Sequence, residues 1–250
     1  MSPVAGVVVV AAGMAAGTIN TIVGSGSLIT FPTLLALGYS PVVANVSNTV
    51  GLLPGSVSGA IGYRRELHGQ RERVVALSTA SVAGGLTGAV LLLLLPSSVF
   101  RGLLPVLILG ACVLVALQPR LALRAAAGSS RRGAHGGPPL LLGVYATGVY
   151  GGYFGAAYGV ITLALLGIFV DDSLQRLNGA KNVLGGLVNG MAALVFATVA
   201  DVAWDAAGLL AVGAVVGGQI GAGVGRRIPA AVLRAVIVTV GLVAAGALVA

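Results

Sequence analysis

Long apolar blocks alternate with short polar stretches along the chain: Val4–Leu37, Val42–Tyr63, Val74–Leu95, Val99–Leu117, Leu140–Val170, Leu174–Ala200, Val202–Gly225 and Ile228–Ala250. A helix rising ~1.5 Å per residue needs ~20 residues to cross ~30 Å of hydrocarbon. Six blocks fit one crossing, but the first and fifth, at 34 and 31 residues, are too long for a straight span. Each has a glycine-rich interruption near its middle, Gly24-Ser25-Gly26 in the first and Gly151-Gly152 followed by Gly155 in the fifth. Glycine permits a helix to break. The pattern therefore predicts an all-α polytopic membrane protein with two broken, re-entrant helical hairpins.

Basic residues test that topology, because short cytoplasmic loops collect Lys and Arg. If all eight blocks cross once, Arg64, Arg65, Arg71, Arg73, Arg120, Arg124, Arg131 and Arg132 lie on one side and Arg101, Arg176, Arg226, Arg227 and Arg234 on the other. If the long blocks are hairpins, twelve arginines share one side and Arg101 alone lies opposite. The second arrangement places the loop of Asp201, Trp204 and Asp205 and both termini outside the cell membrane, with the amino-terminal segment retained as part of the fold. It also divides the chain into a first repeat, 1–117, a basic cytoplasmic linker, 118–139, and a second repeat, 140–250. Gly17-x6-Gly24 followed by Asn45-x-x-Asn48 is echoed by Gly148-x6-Gly155 followed by Asn178-x-x-x-Asn182, at an offset drifting from 131 to 134. One hairpin and three crossings per half is an odd number, so the repeats insert upside down relative to one another, as in secondary transporters.

Composition narrows the chemistry. With 57% apolar residues and 8% charged, the chain cannot cover a water-soluble surface. The net charge of +8 comes from arginines flanking apolar spans without interleaved aromatics, which suits anionic lipid headgroups and not nucleic acid. The single Cys112 lies inside an apolar run and excludes a disulfide framework. His68 and His135 lie in loops, and no HExxH helix or phosphate-cradling loop is present, so an enzyme is not expected, nor a metal or cofactor.

Lys181 stands apart from the other charged residues, which fall in loops or at block ends. It lies seven residues into its block, ~10 Å deep on a helix, where an ionisable group is functional or paired. One reading has its stem returning the ammonium to Asp171 or Asp172 at the cytoplasmic face. The other has it waiting for a substrate anion, with Asn178 and Asn182 beside it. Helices starting near Ser25 or Ser27, capped by serine, would aim free N–H groups and positive dipole ends at the same place. The expected binding set is Asn20, Gly24, Ser25, Gly26, Ser27, Asn45, Asn48, Gly155, Tyr158, Asn178, Lys181 and Asn182. Gly213, Gly217, Gly221 and Gly225 form a stripe suited to close helix packing, and the cluster Tyr150, Tyr153 and Phe154 reads mainly as packing.

The run Gly17-Thr18-Ile19-Asn20-Thr21-Ile22-Val23-Gly24-Ser25-Gly26-Ser27-Leu28-Ile29-Thr30-Phe31-Pro32, with Asn45-Val46-Ser47-Asn48 and Arg176-Leu177-Asn178-Gly179-Ala180-Lys181-Asn182, resembles the TauE/SafE family of sulfite and organosulfonate permeases. The resemblance implies seven or eight segments from a duplicated unit and the movement of sulfur-containing or carboxylate anions. The expectation is a small-anion permease exporting sulfite or a sulfonate by alternating access. The alternative is a membrane scaffold or assembly subunit that transports nothing. The partners implied are a small anion, a bilayer with anionic headgroups and, as one option, further copies of the chain in a homo-oligomer.

Overall fold

Both long blocks break. The computed structural model describes residues 1–127, 137–224 and 230–249, and the described residues form helices with no strand. The first block becomes α1 (Pro3–Ile22) and α2 (Ser27–Ala36), followed by α3 (Pro41–Gly62), α4 (Arg71–Leu94) and α5 (Ser97–Ala127). The fifth becomes α6 (Gly137–Tyr153) and α7 (Tyr158–Phe169), followed by α8 (Leu174–Val199), α9 (Trp204–Val224) and α10 (Ala230–Val249). Arg131, Arg132 and His135 of the linker, and Gly225, Arg226 and Arg227, lie outside the described residues.

The first break falls at the expected residues: α1 ends at Ile22, α2 begins at Ser27, and Gly24-Ser25-Gly26 lies between them. In the fifth block, Gly151 and Gly152 remain helical, and the chain turns through Gly155 and Ala157, at φ 79° and 60°. Helix α5 runs ten residues into the stretch read as linker, because Leu121-Ala-Leu-Arg-Ala-Ala-Ala127 is built of strong helix formers. Helices α1, α4, α8, α9 and the Ser97–Arg120 portion of α5 are long and apolar enough to cross a bilayer. Helix α3 has the length, but it carries buried Asn45, Ser47, Asn48, Thr49, Ser56 and Ser58, the mark of a helix enclosed by other helices.

Glycine-faced seams hold the halves together. Gly13 and Gly17 of α1 lie on the backbone of Leu210 and Ala214 in α9, while Gly213 and Gly217 lie on Val10 and Met14. Gly84 and Gly88 of α4 meet α6 at Tyr145 and Val149 in the same way, and Gly152 returns the contact at Gly85. A methyl group at any of these positions would overlap a carbonyl oxygen, so the small side chain sets the interhelical distance. Packing also exchanges the halves: α1 lies on α9 and α6 on α4, with α3 and α8 in contact between them.

The hairpins open toward opposite ends of this bundle. Tyr39, after α2, donates to Asp205 at the start of α9 at 3.4 Å, and α9 runs alongside α1 in the same direction. Ser47, near the start of α3, accepts from Ala203 at that end, whereas Gly62 meets Ala222 at the other. There α4 begins, and Arg73 pairs with Asp172, after α7, at 3.0 Å. Asp172 also takes Arg176 at 2.7 Å, and Arg176 reaches the His68 carbonyl at 2.8 Å. Burial pushes the Asp172 carboxyl upward, but hydrogen bonds from Arg73, the Ser173 N–H and Arg176 outweigh it and hold the group below its ordinary value.

Candidate functional site

The two breaks cross at a pair of glycines. Gly24, at φ 88°, gives its carbonyl to the Gly159 N–H at 3.0 Å, and a Cβ added to Gly159 would stand 2.5 Å from the Gly24 Cα. Neither chain can carry a side chain here. The left-handed φ at Gly24 ends α1 and leaves its last-turn carbonyls without helical partners, at the partially negative end of the helix dipole.

Helix α8 supplies the missing donors. The Lys181 ammonium donates to the carbonyls of Asn20 and Thr21 at 3.1 and 3.3 Å. Asn178 and Asn182 direct their amide nitrogens at the same Thr21 carbonyl, at 3.2 and 3.3 Å. The three side chains converge because positions 178, 181 and 182 share one helical face. Lys181 is 2% exposed. It does not reach Asp172, whose carboxylate is taken by Arg73 and Arg176.

Serine capping is a correction. The residue at the N-cap position of α2 is Gly26, in right-handed helical conformation and packed on the Ala16 backbone, and it makes no side-chain cap. The Ser25 hydroxyl is buried without a hydrogen-bond partner. Ser27 instead accepts from Asn48 at 3.1 Å, and the Thr30 hydroxyl donates to the Asn48 oxygen. Asn45 crosses to the second break and donates to the Tyr153 carbonyl, at the end of α6, at 2.9 Å.

A polar cavity of about 30 Å³ lies under the crossing. At ~10–15 Å³ per water this holds about two waters or an ion of similar size. Asn20, Thr21 and Gly24 form one wall, with Ser27 from the start of α2. Gly155, Tyr158 and Gly159 come from the second break. Lys181, Asn182, Gly185 and Asn189 descend along α8, and Ser56 of α3 faces them. Seven of the twelve expected residues therefore line one space. Asn178 stands behind it, and Ser25, Gly26, Asn45 and Asn48 surround the breaks without lining it.

Thr21, Ser56, Gly159, Gly185 and Asn189 escaped the sequence reading. Gly185 and Asn189 continue the face of Asn178 and Asn182 at three- and four-residue steps, a usable signal. Ser56 precedes Asn189 by 133 residues, the offset separating Asn45 from Asn178. Thr21 acts through its backbone carbonyl and leaves no side-chain signature. The aromatic cluster packs the second break: Phe154 meets Phe31 edge-on at 5.5 Å between centroids, and Tyr153 meets Phe100 at 5.6 Å. Among the described residues no group of His, Cys, Asp or Glu side chains could hold a metal ion.

The profile of the family described as "Sulfite exporter TauE/SafE" matches residues 9–248. "Probable membrane transporter protein YfcA" of Escherichia coli (strain K12) is 29% identical over 220 residues, covering 83% of this chain and 76% of that protein. "Probable membrane transporter protein ORF9" of Sinorhizobium sp is 27% identical over 237 residues, covering 91% and 85%. A protein of Haemophilus influenzae with the same general name is 24% identical over 213 residues, covering 84% and 81%. No solved structure matches the chain.

Proposed function

The chain belongs to the sulfite exporter TauE/SafE family and is a membrane transporter, and we propose that it is a permease for small anions, exporting sulfite or an organosulfonate by alternating access. The observation that carries this reading is the Lys181 ammonium on the cavity wall. It has three donors, and the two it spends go to uncharged backbone carbonyls. Its charge is therefore screened by helix-end dipoles and matched by no carboxylate among the described residues, which favours an anion over a cation.

The chain divides into a first repeat, 1–117, a linker, 118–139, and an inverted second repeat, 140–250. The exchange of packing partners and the opposite openings of the hairpins support that division. The arginine-rich end faces the cytoplasm by the charge rule, with both termini outside the cell membrane. An inside-negative potential then drives a monoanion outward by ~2.3 kcal/mol per 100 mV, so export needs no coupling carboxylate.

In proteoliposomes under an imposed potential, Lys181→Ala is expected to reduce sulfite efflux at least tenfold while the purified protein keeps its elution profile. Unchanged efflux rejects the site. A static scaffold, in which Lys181, Asn178 and Asn182 only tie α8 to α1, is separated by melting temperature: anions raise it in a permease through Lys181 and leave a scaffold unchanged.

A further inference from the structure

The hydrogen-bond polarity of the α8 side of the cavity wall follows from its partners. Asn182 gives its amide nitrogen to the Thr21 carbonyl, which can only accept. Asn189 gives its nitrogen to the Ser56 oxygen at 3.2 Å, and the Ser56 proton is committed to the Leu52 carbonyl at 3.1 Å. Flipping Asn182 would set its oxygen against the Thr21 carbonyl, and flipping Asn189 would set oxygen against oxygen unless Ser56 gave up its bond to Leu52. Both asparagines that α8 contributes to the lining therefore keep an amide oxygen as an acceptor beyond these bonds. Donors are present too. Lys181 retains a third N–H, and Ser27, whose oxygen already accepts from Asn48, retains its O–H.

One positive charge and a mixture of donors and acceptors suit a particular ion. A fully deprotonated dianion has acceptors only. It would leave one negative charge unmatched and set lone pairs against the amide oxygens, at the cost of burying unpaired polar groups. An arene or long alkyl sulfonate would find no aliphatic wall, since Tyr158 supplies the one large apolar surface among the lining residues.

We infer that the transported species is a small monoanion that still carries a proton on oxygen, hydrogen sulfite within the sulfur oxyanions, and that Asn182 and Asn189 are specificity residues whose amide oxygens accept that O–H. The inference rests on the anion-permease reading and sharpens it. Lys181 and Tyr158 are the titratable side chains on the wall; the lining contributed by α1, α2 and α3 holds no acid and no histidine.

The test is initial flux in proteoliposomes of sulfite, methanesulfonate and sulfate, each below saturation, across the pH range in which sulfite loses its proton. Methanesulfonate is a monoanion without an O–H, so it reports any titration of Lys181 or Tyr158 themselves. Sulfite flux is expected to fall about tenfold per pH unit on the alkaline side relative to methanesulfonate, following the protonated fraction. Sulfate should move at least tenfold more slowly than hydrogen sulfite. Asn189→Leu should remove most of the preference for hydrogen sulfite over methanesulfonate. Sulfite flux that holds or rises at alkaline pH, or sulfate moving as fast as hydrogen sulfite, overturns the inference and leaves the permease reading standing. No flux of any of the three sinks the permease reading itself. If Asn189→Leu does not fold, the wild-type pH series decides alone.

Discussion

The two breaks solve the same problem with different chemistry. At the end of α1 the orphaned carbonyls meet an ammonium and two amides from α8. At the end of α6 the carbonyl of Tyr153 meets one amide, from Asn45, and the turn is closed by Tyr150, whose hydroxyl donates to the Ala156 carbonyl. Positions 45 and 178 correspond at an offset of 133, and on the same offset Asn48 corresponds to Lys181 and Ser56 to Asn189. Asn48 turns to Ser27 and Thr30 within its own half, while Lys181 crosses to the other. At one and the same spacing, then, one member of a pair carries an amide and the other a charge. Both breaks line the cavity, but the first is held by polar groups and the second is packed by Phe31, Phe100 and Phe154.

The most damaging way to break this comparison is at the point the two breaks share. Gly159→Val should abolish folded protein, a cost of ~3 kcal/mol or more, since its side chain would have to occupy the Gly24 backbone. Size-exclusion profiles in detergent would show it. Gly110→Val, where nothing lies within 4 Å of an added Cβ, is the matched control and should elute as wild type.

A smaller effect separates the two caps. Asn45→Ala removes the side chain that bonds the Tyr153 carbonyl and should cost about 1–3 kcal/mol, as for a buried group left unpaired. Asn178→Ala leaves the Thr21 carbonyl still bonded to Lys181 and Asn182, and should cost about 1 kcal/mol or less. The melting temperature should therefore drop further for the first variant. The reverse order would show that the second break, not the first, is redundantly held.

The smallest effect lies at the basic end. Asp172, with its carboxyl held low by Arg73 and Arg176, adds stability that is full above its unfolded pKa of ~3.9 and is lost as pH falls through the lower folded value. The melting-temperature gap between wild type and Asp172→Asn should be constant from neutral pH to about 5 and close in more acid solution. Partial exposure limits it to ~1 kcal/mol.

Broken helices were legible because block length and glycine clustering report the same event. The exact turn was less so in the fifth block: of Gly151, Gly152 and Gly155 the first two stay helical, Gly151 against Tyr158 and Val188 and Gly152 on the Gly85 backbone of α4, and the turn lies at Gly155 and Ala157. Lys181 stood out through its charge in an apolar run. Its partners did not, because a carbonyl belongs to every residue and becomes a site only when a neighbouring left-handed glycine ends the helix. Gly159 was hidden for a related reason, since one glycine in an apolar helix carries no mark of the backbone it will touch. The end of α5 lies within the stretch read as linker because arginines and prolines there flank a run of alanine and leucine with high helix propensity.

The glycine seams between α1 and α9 and between α4 and α6 have a mechanical corollary. Where side chains interlock, sliding one rod past another means withdrawing each knob from its hole; where bare backbone rests on bare backbone, there is little to withdraw. The same smoothness that lets these rods come so near leaves their register to a few polar pins: Thr18 of α1 donates to the Gly217 carbonyl of α9 at 3.1 Å, and the Thr87 hydroxyl of α4 meets the Tyr145 hydroxyl of α6 at 3.2 Å.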